Sequence, residues 1–193
     1  MNTHYLRLVN KDNPIKEIDR QIRLSQAPFT TEEMYLESTV AEQLDRLVRS
    51  CDLEREIVVM DGFRTFEKQQ EIWDETLKEK GELFTKKYVA KPGCSEHELG
   101  LAVDLGLANL TNDYIRPSFA EGAVVAKFLK EMPRFGFILR YPKGKERVTH
   151  ISYEPWHFRY VGWPHSDIIM SQGWALEEYI SFLEDTRGQL YGG

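Results

Sequence analysis

Ser95-Glu96-His97-Glu98-Leu99-Gly100-Leu101-Ala102-Val103-Asp104-Leu105 is the stretch on which the fold of this chain turns. Leu101, Val103 and Leu105 alternate, so they share one face of a strand and point toward a core. Ala102 and Asp104 then share the other face. A carboxylate in so apolar a strand is costly to bury unless a cation or a metal stands beside it. His97, upstream at the mouth of the strand, reaches the same point if the chain turns near Gly100. Gly100 and Ala102 leave room for a group close to the backbone.

A second stretch carries matching chemistry: His150-Ile151-Ser152-Tyr153-Glu154-Pro155-Trp156-His157-Phe158. In a regular strand Glu154 and His157 have opposite parity and point apart. Pro155 cannot donate to a ladder, so a bulge or turn there brings the two onto one side. Trp156 and Phe158 then form a dry wall that strengthens electrostatics beside them. Two histidines and an aspartate are three good ligands for Zn²⁺, with a fourth position left for water. An unligated Glu154 nearby supplies a base, completing the parts of a metal-assisted hydrolase. A third element is Asp61-Gly62-Phe63-Arg64-Thr65, which sets a cation ahead of a helix N-terminus. That charge opposes the helix macrodipole, and the arrangement makes sense if an anion or developing oxyanion binds between them. Gln69, one turn into the helix, faces the same spot. Each element alone has a structural alternative: a packed histidine, an aspartate capping a turn, a solvated arginine. His4, His150 and His165 read as surface or strand-end residues.

Composition sets the frame. The chain has 193 residues, 41% hydrophobic and 29% charged, which is ordinary globular make-up and excludes disorder, collagen-like repeats and coiled coil. The length suits a single domain over 1–193. A net charge of −6 without a Lys/Arg-rich stripe argues against nucleic acid or anionic lipid as partner. No run approaches the ~18 apolar residues of a membrane span. The stretch from Met1 to Arg7 has neither a basic leader nor an apolar core, so a cytoplasmic location is expected. Cys51 and Cys94, far apart and in no CxxC spacing, read as free thiols of a reducing compartment.

Apolar periodicity predicts four helices: Thr39 to Ser50, with Thr39 and Glu42 as a capping box; from after Thr65 to Gly81; from Ser118, with Glu121 three residues on, to before Pro133; and about Ser171 to Leu183. Strands are expected at Tyr5–Val9, Ile57–Met60, Leu101–Leu105, Phe137–Tyr141 and within Ile151–Val161, and the polar segment Asn10–Thr31 reads as surface loop. Strand pairs between helices, without strict βαβ alternation, predict an α+β fold: a largely antiparallel central sheet flanked by about four helices.

The pattern Ser95-x-His97-x-x-Gly100-x-Ala102-x-Asp104, followed by Glu154-x-Trp156-His157, resembles the signature of the LAS zinc metallopeptidases. These are D-alanyl-D-alanine carboxypeptidases and dipeptidases with a hedgehog-like fold. Arg64-Thr65-Phe66-x-x-Gln69 is similar to that group's Arg-Ser-Tyr-x-x-Gln block, with conservative departures at two positions. The matching blocks span roughly residues 57 to 163. Pro92-Gly93-Cys94-Ser95-Glu96-His97 and the compact length look most like the bifunctional VanXY-type D,D-peptidases of vancomycin resistance.

The resemblance implies one Zn²⁺ per chain held by His97, Asp104 and His157, Glu154 as catalytic base, and Arg64 steadying the tetrahedral oxyanion. It places Ser95 and Gln69 at the substrate's terminal carboxylate, Tyr88 at the pocket wall and Asp61 at a free substrate ammonium. The implied substrates are D-Ala-D-Ala and cytoplasmic pentapeptide precursors ending in it. Two rivals accompany this reading: a zinc-containing hedgehog-like binding module without catalysis, and a thiol hydrolase using Cys94. No sequence feature specifies an oligomeric state.

Overall fold

A two-stranded ribbon, β1 (Leu24–Gln26) and β2 (Tyr35–Glu37), leads into the first helix, α1 (Ser38–Ser50), in the computed structural model, which describes residues 3–191. There follow β3 (Ile57–Asp61), α2 (Phe66–Lys80), α3 (Glu82–Tyr88), β4 (Ala102–Leu107), α4 (Ala123–Glu131) and β5 (Phe137–Leu139). The chain continues through α5 (Glu146–Thr149), β6 (His157–Tyr160), α6 (His165–Gln172) and α7 (Leu176–Tyr191). The main sheet has the order β3-β4-β6-β5, and every neighbouring pair is antiparallel. The α+β class and antiparallel sheet are those expected.

Burial explains the centre. β4 lies between β3 and β6, and Ala102 through Gly106 are all buried. Phe119, Phe128 and Phe158 stack edge to face behind it, with ring centroids 4.9–5.6 Å apart, the favoured geometry for aromatic pairs. Val40, Leu44, Leu47 and Val48 of α1 close the same core. Strand register aligns the polar residues of the sheet. Asp61 of β3 and His157 of β6 both pair with Asp104 of β4, the first after an irregularity between Val59 and Asp61. Directly paired residues project to one face, so three polar side chains form a row across three strands.

Local differences from the sequence reading have identifiable causes. Tyr5–Val9 is not a strand: a 3₁₀ turn covers Thr3–Leu6, and the Arg159 guanidinium takes the carbonyls of Tyr5 and Arg7 at 3.0 and 2.8 Å. The Asn10–Thr31 segment contains β1, whose partner β2 lies beyond it. Glu37, rather than the Thr39/Glu42 box, caps α1, accepting from the amides of Thr39 and Val40. The third predicted helix begins at Ala123 and not Ser118, because Ser118 is tied back to Leu107 and Asn112. α3 follows Gly81, where the second helix was expected to stop the helical run. The last predicted helix is two, separated at Gly173, with Glu178 accepting from the Ala175 amide at 2.7 Å. Of Ile151–Val161, only His157–Tyr160 is strand.

Gly100 ends the turn at His97 with φ +63°, and a Cβ there would lie 2.7 Å from the Glu37 amide nitrogen. Gly173 has the same φ of +63° with no atom near its missing Cβ. Gly173→Ala should therefore cost only the left-handed backbone penalty, about 1–2 kcal/mol. Gly100→Ala should cost a further 1–3 kcal/mol or so from overpacking against backbone. Urea denaturation of the two variants checks the difference; equal losses would remove the close-approach explanation.

Candidate metal and catalytic centre

His97, Asp104 and His157 are all buried, and one ligand atom from each lies within 4.8 Å of the others. Asp104 arrives on β4 and His157 on the paired position of β6. His97 stands on the 3₁₀ turn Glu96–Leu99 that precedes β4, its ring 5.0 Å from that of His157 and nearly perpendicular. Asp104 Oδ1 is 3.0 Å from His157 Nδ1 and 3.5 Å from His97 Nε2. Despite this proximity it accepts no hydrogen bond and has no solvent contact. A buried carboxylate oxygen left unsatisfied between two ring nitrogens is a costly arrangement. It is the arrangement of a site built for a cation, and two imidazoles with a carboxylate are the donor set of Zn²⁺.

The remaining ring nitrogens are held from behind. His97 Nδ1 lies 2.7 Å from the carbonyl of Gly62, which can only accept, so Nδ1 carries the proton and Nε2 presents its lone pair inward. His157 Nε2 faces Glu96 Oε2 at 3.5 Å. Burial alone would raise Asp104, but the two imidazoles overcome it and hold the carboxyl well below the usual range. Burial alone would lower His157; Asp104, then Glu96 and Glu154, reverse this and push it up to about 9.

Glu154 sits in a tight turn, with the His157 amide donating to the Glu154 carbonyl at 3.3 Å across Pro155 and Trp156. The turn expected at Pro155 thus brings Glu154 Oε2 to 3.7 Å from His157 Nδ1. Burial pushes the Glu154 carboxyl up to about 8, with Asp104 adding to the rise and His157 and Arg64 opposing it. A carboxyl poised near neutrality suits a group that takes and returns a proton.

Arg64 leans over the same point, with Nη2 3.8 Å from Asp104 Oδ2. Asp61 Oδ2 receives its Nε and Nη2 at 2.9 and 2.8 Å, and Gln69 Oε1 receives Nη1 at 3.0 Å. Asp61 lines the cleft as expected, though its second oxygen accepts from the Gly62 amide. Gln69 is placed differently from the expectation of substrate contact. It is fully buried behind Arg64, outside the cleft wall, and its amide nitrogen donates to the Ala90 carbonyl. It can act on a ligand only through Arg64.

These groups open into a cleft of about 610 Å³ whose wall includes Ser95, Tyr88, Tyr141 and Trp156. Tyr141 packs against the His157 ring at 4.9 Å. Cys94 is not part of the wall, and burial followed by Glu98 raises its thiol pKa, the wrong direction for a nucleophile.

Sequence reasoning missed Glu96, Arg140, Arg159 and Glu177. Arg140 and Arg159 are both wholly buried. Both donate to Glu96 Oε1 at 2.7 Å, and Arg140 also binds Glu177 with two bonds. The signal was present: arginines inside Phe137-Ile138-Leu139-Arg140-Tyr141 and Phe158-Arg159-Tyr160 demand a buried counter-ion just as Asp104 does.

Comparison with known proteins agrees with this geometry. The chain is 49% identical over 187 residues to the bifunctional D-Ala-D-Ala dipeptidase and D-Ala-D-Ala carboxypeptidase VanXYC of Enterococcus gallinarum, covering 96% of this chain and 97% of that protein. The crystal structure of the vancomycin resistance D,D-dipeptidase VanXYg in complex with a D-Ala-D-Ala phosphinate analog superposes with a TM-score of 0.86 at 42% identity, covering 92% of this chain and 70% of the other. A D,D-pentapeptidase VanY from a VanB-type resistance cassette, solved in complex with Zn(II), gives 0.76 at 36% identity over 92% of this chain and 99% of that one. The model of the VanY family, D-alanyl-D-alanine carboxypeptidase, matches residues 33–163, and with these relatives it shows that the chain belongs to that family of peptidases.

Proposed function

We propose that this chain is a zinc-dependent D,D-peptidase that splits the D-Ala-D-Ala dipeptide and removes the terminal D-Ala from pentapeptide precursors of the cell wall. One Zn²⁺ per chain is held by His97, Asp104 and His157. The observation that carries the reading is the placement of Glu154: a buried carboxylate beside the three ligands, with Arg64 across from it. A passive metal site requires neither. Full-length similarity to a protein with both activities supports the double specificity. Removing the D-Ala that glycopeptides bind accounts for a role in vancomycin resistance. Two free cysteines support a reducing, cytoplasmic setting, and among the described residues no helix is long and apolar enough to cross a membrane.

Bound zinc supplies Lewis acidity and lowers the pKa of water toward ~7. Glu154 takes a proton from the attacking water and returns it to the leaving amine. Arg64 faces the negative charge that grows on the scissile carbonyl oxygen, and Asp61 and Gln69 hold its guanidinium in place beforehand. Ser95, buried in the cleft wall, donates its hydroxyl to the substrate's terminal carboxylate. Gln69, expected at that carboxylate, acts on the substrate instead by orienting Arg64. Tyr88 walls the pocket, and the lone pairs of Asp61 that Arg64 and Gly62 leave unused meet the ammonium of a free dipeptide.

Release of D-Ala from D-Ala-D-Ala, from its L,L isomer and from a muramyl pentapeptide, each with and without chelator, tests the proposal. Turnover is expected on both D,D substrates and not on the L,L isomer, and a chelator should abolish it. Activity that survives chelation would overturn the metal-dependent reading. Glu154→Ala should retain its zinc and lose nearly all turnover, whereas His157→Ala should lose the metal too; metal analysis beside the assay distinguishes them. Arg64→Lys should reduce turnover by about 10²–10³-fold, because an ammonium cannot reproduce the planar fork that Asp61 and Gln69 hold. Near-normal turnover would remove Arg64 from the oxyanion role.

A further inference from the structure

Two buried atoms in the site lack hydrogen-bond partners and face each other: His157 Nε2 and Glu96 Oε2, 3.5 Å apart. Glu96 is held there by two arginines with no solvent exposure, both donating to its other oxygen at 2.7 Å. The carboxylate therefore has one oxygen committed and one free, and the free one points at the ring. A carboxylate can only accept, so this contact is favourable only when Nε2 carries hydrogen. The lone pair of His157 is thereby directed through Nδ1 toward Asp104 Oδ1. His97 is handled in the mirror sense, its Nδ1 fixed by the Gly62 carbonyl.

We infer that Glu96 is a positioning residue for the metal centre, locking His157 in the tautomer whose Nδ1 is free to ligate, while Arg140 and Arg159 hold Glu96 in place. The inference rests on the metal-centre reading above and adds a residue to it. Hydrogen bonds to the non-ligating nitrogen orient a metal-bound histidine and raise its basicity. The arginine pair does a second job. Two guanidiniums against Glu96 and Glu177 sum to zero, so the locking carboxylate does not add an uncompensated charge beside Asp104 and Glu154.

Glu96→Gln inverts the contact. Both guanidiniums can only donate, so they claim the amide oxygen and turn its NH₂ toward Nε2, which favours the proton on Nδ1 where the metal must bind. Competition against a chromophoric chelator should show zinc affinity lowered by about 10–100-fold in this variant. The absorption bands of the cobalt-substituted protein should also shift. Glu177→Gln weakens the same buried network at its far end and spares the Glu96 contact. It should destabilise the fold while leaving zinc affinity and the cobalt spectrum as in the wild type. If Glu96→Gln does not fold, the charge-balanced pair Glu96→Gln with Arg159→Met is measured in its place, with the same loss expected. Wild-type zinc affinity in a folded Glu96 variant, or equal losses in the Glu96 and Glu177 variants, would overturn the inference. If the split in affinity holds but the wild type releases no D-Ala, the hydrolase reading falls and the role of Glu96 stands.

Discussion

Asp104 is a carboxylate in the central strand of the sheet, 4% exposed, with one oxygen that no hydrogen bond reaches. Removing an ion from water costs several kcal/mol even after the protein relaxes, and the surroundings must return that energy. Around Asp104 they do so in layers. His157 and His97 stand within 3.5 Å, Arg64 at 3.8 Å, and each is itself held by a partner that leaves it little freedom. Gly62 fixes one ring, Glu96 faces the other, and Asp61 with Gln69 fixes the guanidinium. The sheet supplies the common frame, since Asp61, Asp104 and His157 occupy one cross-strand row. A slip of one residue in either pairing would turn that row to the opposite face.

The frame extends to both ends of the described chain. Arg159 reaches from β6 to the carbonyls of Tyr5 and Arg7, and Arg140 reaches Glu177 in the first turn of α7. Buried ion pairs of this kind are weak evidence for stability, because well-packed apolar groups often do as well. Their value here lies in direction. A guanidinium with all three nitrogens engaged holds its partners at set angles, which a methyl-lined core cannot do.

The sheet strands and the site were legible for the same physical reason. Leu101, Val103 and Leu105 set the face of β4, and one charge among them advertised a buried partner. Pro155 announced the turn that carries Glu154 to His157. Most of what escaped was decided by contacts distant in sequence. The 3₁₀ turn at Tyr5 exists because Arg159, 154 positions away, takes its carbonyl. The cap of α1 moved to Glu37, where the side chain of a residue outside the expected box met the free amides first. Gln69 lies on the expected face of α2, but only the path of the chain at Ala90 shows that its amide is sealed behind Arg64. Glu96 adjoins His97 in the chain, yet a glutamate there reads as one more surface charge until two arginines are found around it.

Charge at the reacting point is set more finely than the row of ligands suggests. From sequence, Arg64 stands as a lone cation awaiting an anion or a developing oxyanion. In the structure Asp61 pairs with it at 2.8 Å, so the two together are nearly neutral at a distance and polar close by. The two positive charges of a Zn²⁺ held at His97, Asp104 and His157 would be offset by Asp104 and, once it has given up its proton, by Glu154. The Glu96 and Glu177 pair is balanced by its two arginines. The Asp61–Arg64 pair and the group of Glu96 and Glu177 with Arg140 and Arg159 thus each sum to about zero. A free dipeptide at neutral pH is a zwitterion and also sums to zero, so its net charge gives these balanced pairs nothing to attract and the placement of its two ends matters more. The Asp61 and Arg64 pair offers both signs within one contact, which is what a site needs to seat an ammonium and a developing oxyanion side by side. Under the roles proposed above, a longer peptide without the ammonium would forgo the Asp61 contact and keep the Arg64 one, so a neutral pair of this kind would suit both substrates better than a single fixed charge.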